Sequence, residues 1–349
     1  MTMPAIGQLR RVARRTFRKR EEGILILLYH RVASLPVDPF HLAVSREHFA
    51  EHLNVLQKNY PVLKLEDALR CTQGKSVPGR SVVITFDDGY RDLLDQALPV
   101  LKQYSMPATA FITSGYIGSD REPWWDELEN VCLAKDILPG TLDLELAGAP
   151  FHWERPHSLK PPVLLRGDDD TGWRQYMPLV RGWREQLYHT LYDRLKPLPT
   201  LERDTRLGEI FAWAGVSRVN RHTHQMLSER ELHTLADDGT IGIGAHTVHH
   251  VSLASAPIDV QKREISESKM VLERLVGREV IAFAYPHGAA SDYTHQTTLL
   301  VQESGFTCAC SAFYGIIRQG TGLFELPRYE VHDWDGAAFA GRLDDWWRG

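Results

Sequence analysis

The chain reads as an α/β protein, a closed or nearly closed barrel of parallel strands with helices outside and one large insertion. Three observations predict this. Strand-length apolar runs alternate with stretches of helical spacing from Gly23 to about residue 335, the pattern of a parallel sheet built from strand–helix units. That rhythm breaks between about residues 120 and 225 and then resumes. At 349 residues the chain is long for an ordinary domain, but an α/β barrel with an insertion reaches this length.

The elements follow in order. Residues 1–22 form a basic arm, with Arg10, Arg11, Arg14, Arg15, Arg18, Lys19 and Arg20 before Glu21. The apolar run after it, Ile24 to Leu28, is too short for a signal-peptide core or a membrane span. The arm reads as a solvated segment, or as a helix touching anionic head groups through Val12 and Phe17. Gly23 to His30 is a buried-type first strand. Ser45 caps a helix carrying Phe49, Leu53 and Leu56. Val82 to Phe86 is the next strand, followed by a helix marked by Leu93, Leu94, Ala97, Leu98 and Leu101. Ala108 to Thr113 is a third strand.

The segment 120–225 is rich in Trp, Pro and charge, including Trp124, Trp125, Trp153, Trp173 and Trp183. It reads as a partly helical insertion beside or over the site, its tryptophans forming its own core or lining a sugar cleft. Ser228 and Glu231 have capping-box spacing and restart the barrel rhythm. Then come a strand at Thr240–Ala245, a helix at 259–276 ended by Gly277, and a strand at Val280–Tyr285. A helix at 292–304 and strands at Phe306–Ser311 and Phe324–Val331 complete the barrel. Residues 336–349 read as a C-terminal tail.

Hydrophobic residues make up 43% and charged residues 24%, ordinary for a soluble globular chain. A net charge of −5 argues against a general nucleic-acid binder. The four cysteines, Cys71, Cys132, Cys308 and Cys310, lack Cys-x-x-Cys spacing and give no disulfide framework. With no export signal visible, the expectation is a cytoplasmic protein, its arm resting on the inner membrane face at most.

Chemistry concentrates in two pairs. Asp87-Asp88 closes the strand Ser81–Phe86 and is followed by Gly89; His246 and His250 follow the strand at Thr240–Ala245. Adjacent Asp residues in a turn are commonplace, but both pairs fall at the ends of buried-type strands, where α/β folds build their sites. Two His and one carboxylate form a hydrolytic Zn²⁺ shell with a position left for water. The second carboxylate is then free to act as a base. Neighbouring strand residues point to opposite faces, so both Asp side chains reach one site only if the chain bends at once, which Gly89 permits. Water on such an ion has its pKa lowered to about 7, Asp87 takes its proton, and a backbone N–H near Tyr90 holds the oxyanion. Thr247 steadies the His loop, and His249 lies outside the first set.

Thr85-Phe86-Asp87-Asp88-Gly89 and His246-Thr247-Val248-His249-His250 resemble the first two motifs of the polysaccharide deacetylases, carbohydrate esterase family four. Leu28-Tyr29-His30-Arg31-Val32 and Phe283-Ala284-Tyr285-Pro286-His287-Gly288 resemble further signatures of that family. The resemblance spans roughly 24–335 outside the insertion. It implies a distorted (β/α) barrel of seven to eight units and metal-dependent removal of N-acetyl groups from amino sugars. Carried over by motif, Asp87 is the base, and Asp88, His246 and His250 hold the metal: Zn²⁺, with Co²⁺ or Ni²⁺ as alternatives. The third motif departs from the family. Ala284 stands where an Arg orients the base, so either another Arg, Arg91 or Arg328, fills that role or the base is tuned differently, and Pro286-His287 replaces Pro-Tyr. The acid implied by the last motif is His332, with His30 and His287 as rivals.

The substrate expected is an N-acetylated saccharide, a polymer or a lipid- or nucleotide-linked precursor. Two other functions stay open: a metal amidohydrolase on a non-sugar C–N bond, and a sugar-binding homologue without catalysis.

Overall fold

The computed structural model describes residues 22–72, 79–133, 137–156 and 182–348. The basic arm and Trp173 lie outside these residues. No helix among the described residues is long and apolar enough to cross a membrane.

Strand β1 is Gly23–Tyr29, every residue of it buried. An unbroken apolar run suits a parallel strand covered on both faces. Two short strands, β2 (Arg31–Val32) and β3 (Ala43–Val44), pair with each other beside it. Helix α1 (Arg46–Asn59) starts at Ser45, whose hydroxyl accepts from the His48 N–H. Helix α2 (Leu65–Thr72) precedes strand β4 (Arg80–Phe86). A π-helical turn at Leu93–Ala97 runs into α3 (Leu98–Tyr104), and β5 is Ala108–Ile112.

The insertion has its own architecture. It holds α4 (Trp124–Leu133), a hairpin of β6 (Thr141–Leu146) and β7 (Ala149–Glu154), α5 (Trp183–Leu195) and α6 (Thr200–Ala214). A 3₁₀ turn at His222–His224 leads back to the barrel. There α7 (Glu229–Asp238) opens on a complete Ser228–Glu231 capping box, and β8 is Ile241–Ala245. Then follow α8 (Ile258–Val276), β9 (Ala282–Ala284), α9 (His295–Glu303), β10 (Cys308–Cys310), β11 (Tyr329–Glu330) and α10 (Gly336–Arg348).

Seven strands form one parallel sheet in the order β10-β9-β8-β5-β4-β1-β11. Its two edges meet across residues 323–330. On the β10 side Ala309 donates to Leu323 O and accepts from Leu326 N, and Ser311 donates to Leu326 O, while Leu27 pairs with Tyr329 on the other. The sheet is therefore a curled, distorted barrel closed by an irregular crossing. Alternation sorts the side chains. Ile24, Ile26, Val83 and Phe111 fill the interior with Leu65, Ala68 and Leu69 of α2. Leu25, Leu27, Val82 and Ile84 face the outer helices.

One difference from the sequence reading matters. Residues 336–348 are a helix, not a tail: Phe339, Leu343 and Trp347 recur every four positions and are buried, with Phe339 stacked 4.1 Å from the His52 ring. The insertion carries a core of its own, as one of the two readings of its tryptophans has it, in which Trp124, Trp125, Leu128, Leu187, Leu191 and Phe211 pack with Tyr90 and Met226 of the barrel. Trp153, Trp183 and Trp213 sit against that core, half-buried.

Candidate active site

The site forms where the C-terminal ends of β4 and β8 meet. Asp87 leaves β4 with its N–H still bonded to Tyr29 O at 3.0 Å. The bend begins one residue earlier than Gly89 alone would allow. Asp88 itself takes a φ of 73° and Gly89 one of 95°, so two successive left-handed residues turn both carboxylates to one side. A Cβ on Gly89 would meet Ile112 Cγ2 at 3.0 Å, so only glycine fits without displacing β5.

His246 and His250 bracket a tight loop, not a helical turn. Thr247 and His250 both have positive φ, 63° and 53°. The Thr247 hydroxyl accepts from the His250 N–H at 3.0 Å. Glu264 of α8 accepts from the N–H groups of Val248 and His249 and binds His249 Nδ1 at 2.7 Å. His249 therefore faces away from the Asp pair and anchors the loop from outside. Gly115 lets the neighbouring loop close on this one, since a Cβ there would lie 2.5 Å from Val248 O.

The two imidazoles converge on one oxygen. His250 Nε2 lies 3.4 Å and His246 Nε2 3.7 Å from Asp88 Oδ1. His246 Nδ1 bonds Ala284 O at 2.8 Å, which places the proton on Nδ1 and leaves the Nε2 lone pair facing Asp88. All three side chains are buried, and their ligand atoms lie within 4.8 Å of one another. Burial, then the neighbouring charges of Asp87 and Asp126, pushes the Asp88 carboxyl well above the usual range. Burial, then His246 and other cationic groups, pushes His250 well below its own. A buried acid short of positive charge facing two neutral imidazoles fits a divalent cation, whose charge would bring the Asp88 carboxyl back down and keep both imidazoles unprotonated.

Asp87 differs sharply. Arg328 grips it with two parallel bonds, Nη1 to Oδ1 at 2.7 Å and Nη2 to Oδ2 at 2.8 Å, while its Nε bonds Ser311 O. Burial opposes ionisation of Asp87, but the Arg328 charge and hydrogen bonds outweigh it and hold the carboxyl below the usual range. Of the two arginines considered for this position, Arg328 sits here. Arg91 pairs instead with Asp95 and Glu231, at 3.1 and 3.0 Å.

The three histidines considered as proton donors stand at different places. His30 faces Asp87, Arg328 and His246, with its Nδ1 3.9 Å from Glu330 Oε1. Burial lowers its pKa. His287, at a φ of 62°, packs its ring 4.5 Å from that of His250 and meets Tyr192 Oη at 3.1 Å. His332 Nδ1 bonds His41 O, and its charged neighbours are Asp38, Arg342 and Glu330, outside the Asp87–Asp88 group. The Tyr90 residue is held by an antiparallel bridge to Met226, flanked by bonds from Arg91 N to Gln225 O and Leu227 N to Gly89 O. That pattern turns Tyr90's own N–H away from residue 226.

Two contributors, Tyr192 and Glu330, are absent from the sequence reading, and a third, Trp125, is named there only among the insertion's tryptophans. Trp125 lays its ring 4.6 Å from His250 and donates from Nε1 to Tyr90 Oη at 2.7 Å. Tyr192 abuts His287. Glu330 stands between His30 and His332. Trp125 and Tyr192 belong to the insertion, which thus forms one wall of the site. Their spacing from the motifs carries no local signal.

The polysaccharide deacetylase family model matches residues 74–134 and 198–309, on both sides of the insertion's middle. The fold and the two motif loops define a deacetylase-type barrel, and the chain belongs to the polysaccharide deacetylase family. YxkH of Bacillus subtilis, which bears a polysaccharide deacetylase name, is 41% identical over 95 residues, 27% of this chain and 33% of that protein. A poly-β-1,6-N-acetyl-D-glucosamine N-deacetylase of Staphylococcus aureus is 31% identical over 114 residues, 29% of this chain and 39% of that protein. The chain thus spans between a third and two fifths of the length of these curated relatives. IcaB from Ammonifex degensii superposes with a TM-score of 0.56 at 17% identity, covering 94% of this chain and 98% of that one. The Streptococcus pyogenes deacetylase PplD, solved with acetate, gives 0.53 at 18% identity, covering 89% and 92%. At these identities the two structures speak for the shared fold.

Proposed function

We propose that the protein is a divalent-metal-dependent N-deacetylase, removing acetyl groups from the amino sugars of an N-acetylated saccharide. The observation that carries this reading is the unequal treatment of two neighbouring carboxylates. Asp88 faces two imidazoles, while Asp87 is gripped by Arg328. One is a ligand in waiting and the other a base held ionised.

Asp88, His246 and His250 would hold the ion, and Zn²⁺ suits two imidazoles and one carboxylate. When bound, it would supply Lewis acidity, lowering the pKa of water and polarising the acetamide carbonyl. Asp87 accepts the proton of the attacking water. Arg328 fixes the orientation of Asp87 and keeps it ionised. The Tyr90 N–H donates to the carbonyl oxygen as that oxygen gains charge. His30 donates a proton to the departing amine. We favour it over His332 because it faces Asp87 and His246, whereas His332 faces Asp38 and Arg342.

The substrate class is carried from the printed name of the Staphylococcus aureus relative. A groove of about 1060 Å³ walled by Trp183, Arg184, Asp38, His332 and Trp334 lies beside His332, away from the Asp87–Asp88 group.

Acetate release from N-acetylglucosamine oligomers tests the proposal. Release should vanish on chelation and return with added Zn²⁺. Oligomers left intact while formamides or cyclic amides are cleaved would make the protein a non-sugar amidohydrolase. A preparation that never retains a divalent ion would make it a sugar-binding homologue.

A further inference from the structure

A second buried group of acids and histidine lies near the site, its Asp126 next in the chain to Trp125. Asp126 and Glu129 are one helical turn apart on α4, so both project from one face. His224 closes the 3₁₀ turn where the insertion returns to the barrel. Their ligand atoms lie within 4.8 Å of one another, the same closeness found for Asp88, His246 and His250.

Two further observations point to a ligand. The His224 side chain is 4% exposed, and its Nε2 makes no hydrogen bond although it faces Glu129 Oε2 at 3.3 Å. The local charge is also short of cations. Asp92, Glu122, Asp126 and Glu129 are all buried or nearly so, and among the described residues their guanidinium partners are Arg31 and Arg221. Two negative charges are left over when all four carboxylates are ionised, the charge of one divalent ion. A small cavity of about 30 Å³ adjoins the group, bordered by Asp126, Glu129 and His224, enough room for a water to complete a coordination shell.

We propose that Asp126, Glu129 and His224 form a second divalent-cation site that ties the first helix of the insertion to the segment by which the insertion returns to the barrel. One imidazole and two carboxylates select a borderline ion of the Zn²⁺ or Mn²⁺ kind. The site's reach to the first is indirect: Asp126 accepts from Tyr90 Oη at 2.6 Å, and Tyr90 follows the Asp-Asp-Gly turn.

Metal-stripped protein, reloaded with Zn²⁺ or Co²⁺ and freed of excess ion, should carry two equivalents by elemental analysis. His224→Gln and Asp88→Asn should each carry one, and the double variant none. If His224→Gln fails to fold by circular dichroism, Asp126→Asn serves in its place. Wild-type protein with a single equivalent, lost on Asp88→Asn, would overturn the proposal. So would two equivalents retained in both His224→Gln and Asp126→Asn. The count at Asp88 reports on the first site separately, so a failed second site leaves the deacetylase reading standing.

Discussion

Asp88, His246 and His250 form one buried triad; Asp126, Glu129 and His224 form another. Both mix carboxylate with imidazole, and both are buried. They differ in how they are held and in what balances them. The first rests on loops at strand ends, with left-handed backbone at Asp88, Thr247 and His250. The second rests on a regular helix and a 3₁₀ turn. Beside the first, Arg328 binds Asp87 and leaves the ligand acid alone. Within the second, Arg221 binds Glu129 itself at 2.8 Å. Strained backbone gathers at functional sites because the surrounding structure must hold it there. An arginine on the neighbour of the ligand leaves that ligand free for a cation, while an arginine on the ligand shares it.

The sharpest break in this comparison is Asp87→Asn against Asp126→Asn. The first removes the base and should lower kcat by about 10²–10⁴-fold with the fold intact. The second should cost less than about tenfold, because Asp126 touches the site only through the Tyr90 side chain and otherwise acts through its charge on Asp88. Equal losses in steady-state acetate release would erase the distinction between the two acids.

The arginines come next. Arg328→Ala strands Asp87 beside Asp88 in a buried pocket, and breaking such a pair costs about 3–5 kcal/mol. Arg221→Ala should cost less, about 1–3 kcal/mol, because its side chain is 21% exposed and water can reach the acids it leaves. Denaturant unfolding of both variants checks the order, and a larger loss for Arg221→Ala would reverse it.

Another buried histidine shows how imidazole behaves without an acid bonded to it. His52 binds Trp334 O and Tyr29 Oη, and burial pushes its pKa down to about 4. The unfolded chain therefore takes up its proton first. The stability tied to neutral His52 is full above about pH 6.5 and is lost as the pH falls towards 4, by roughly 3 kcal/mol. Between pH 7 and 4, wild-type protein should lose that much more stability than His52→Gln. Matching pH slopes would refute the assignment.

The smallest contrast lies between His30 and His332. His30→Ala should lower kcat about 10²-fold, and His332→Ala only a few-fold. The reverse order would return the acid to the last motif.

The same contrast shows what a sequence carries. Features set by local hydrogen bonding and periodicity were legible: the Ser45 cap, the Ser228–Glu231 box, the buried run of β1 and the Asp-Asp-Gly turn. The turn was legible in kind but not in detail, since Asp88 joins Gly89 in the left-handed region. The helix at Gly336–Arg348 had a readable signal in Phe339, Leu343 and Trp347, four apart, which the tail reading passed over. The second triad had none. Its Asp-x-x-Glu pair looks like any solvated helix face, and His224 stands 95 positions from Glu129.

What the sequence determined by itself was the chemistry on offer: an acid pair and a histidine pair at strand ends, and the strand–helix alternation that carries them. Those depend on short-range physics, hydrogen bonds and side-chain period within a few residues. Tertiary structure alone decided which arginine grips Asp87, across 241 positions. It also decided which histidine faces the site and which tryptophan of the insertion covers His250. Each of those choices depends on how the curled sheet brings β11 beside β1 and lays the insertion against β4, and no local pattern encodes such closure.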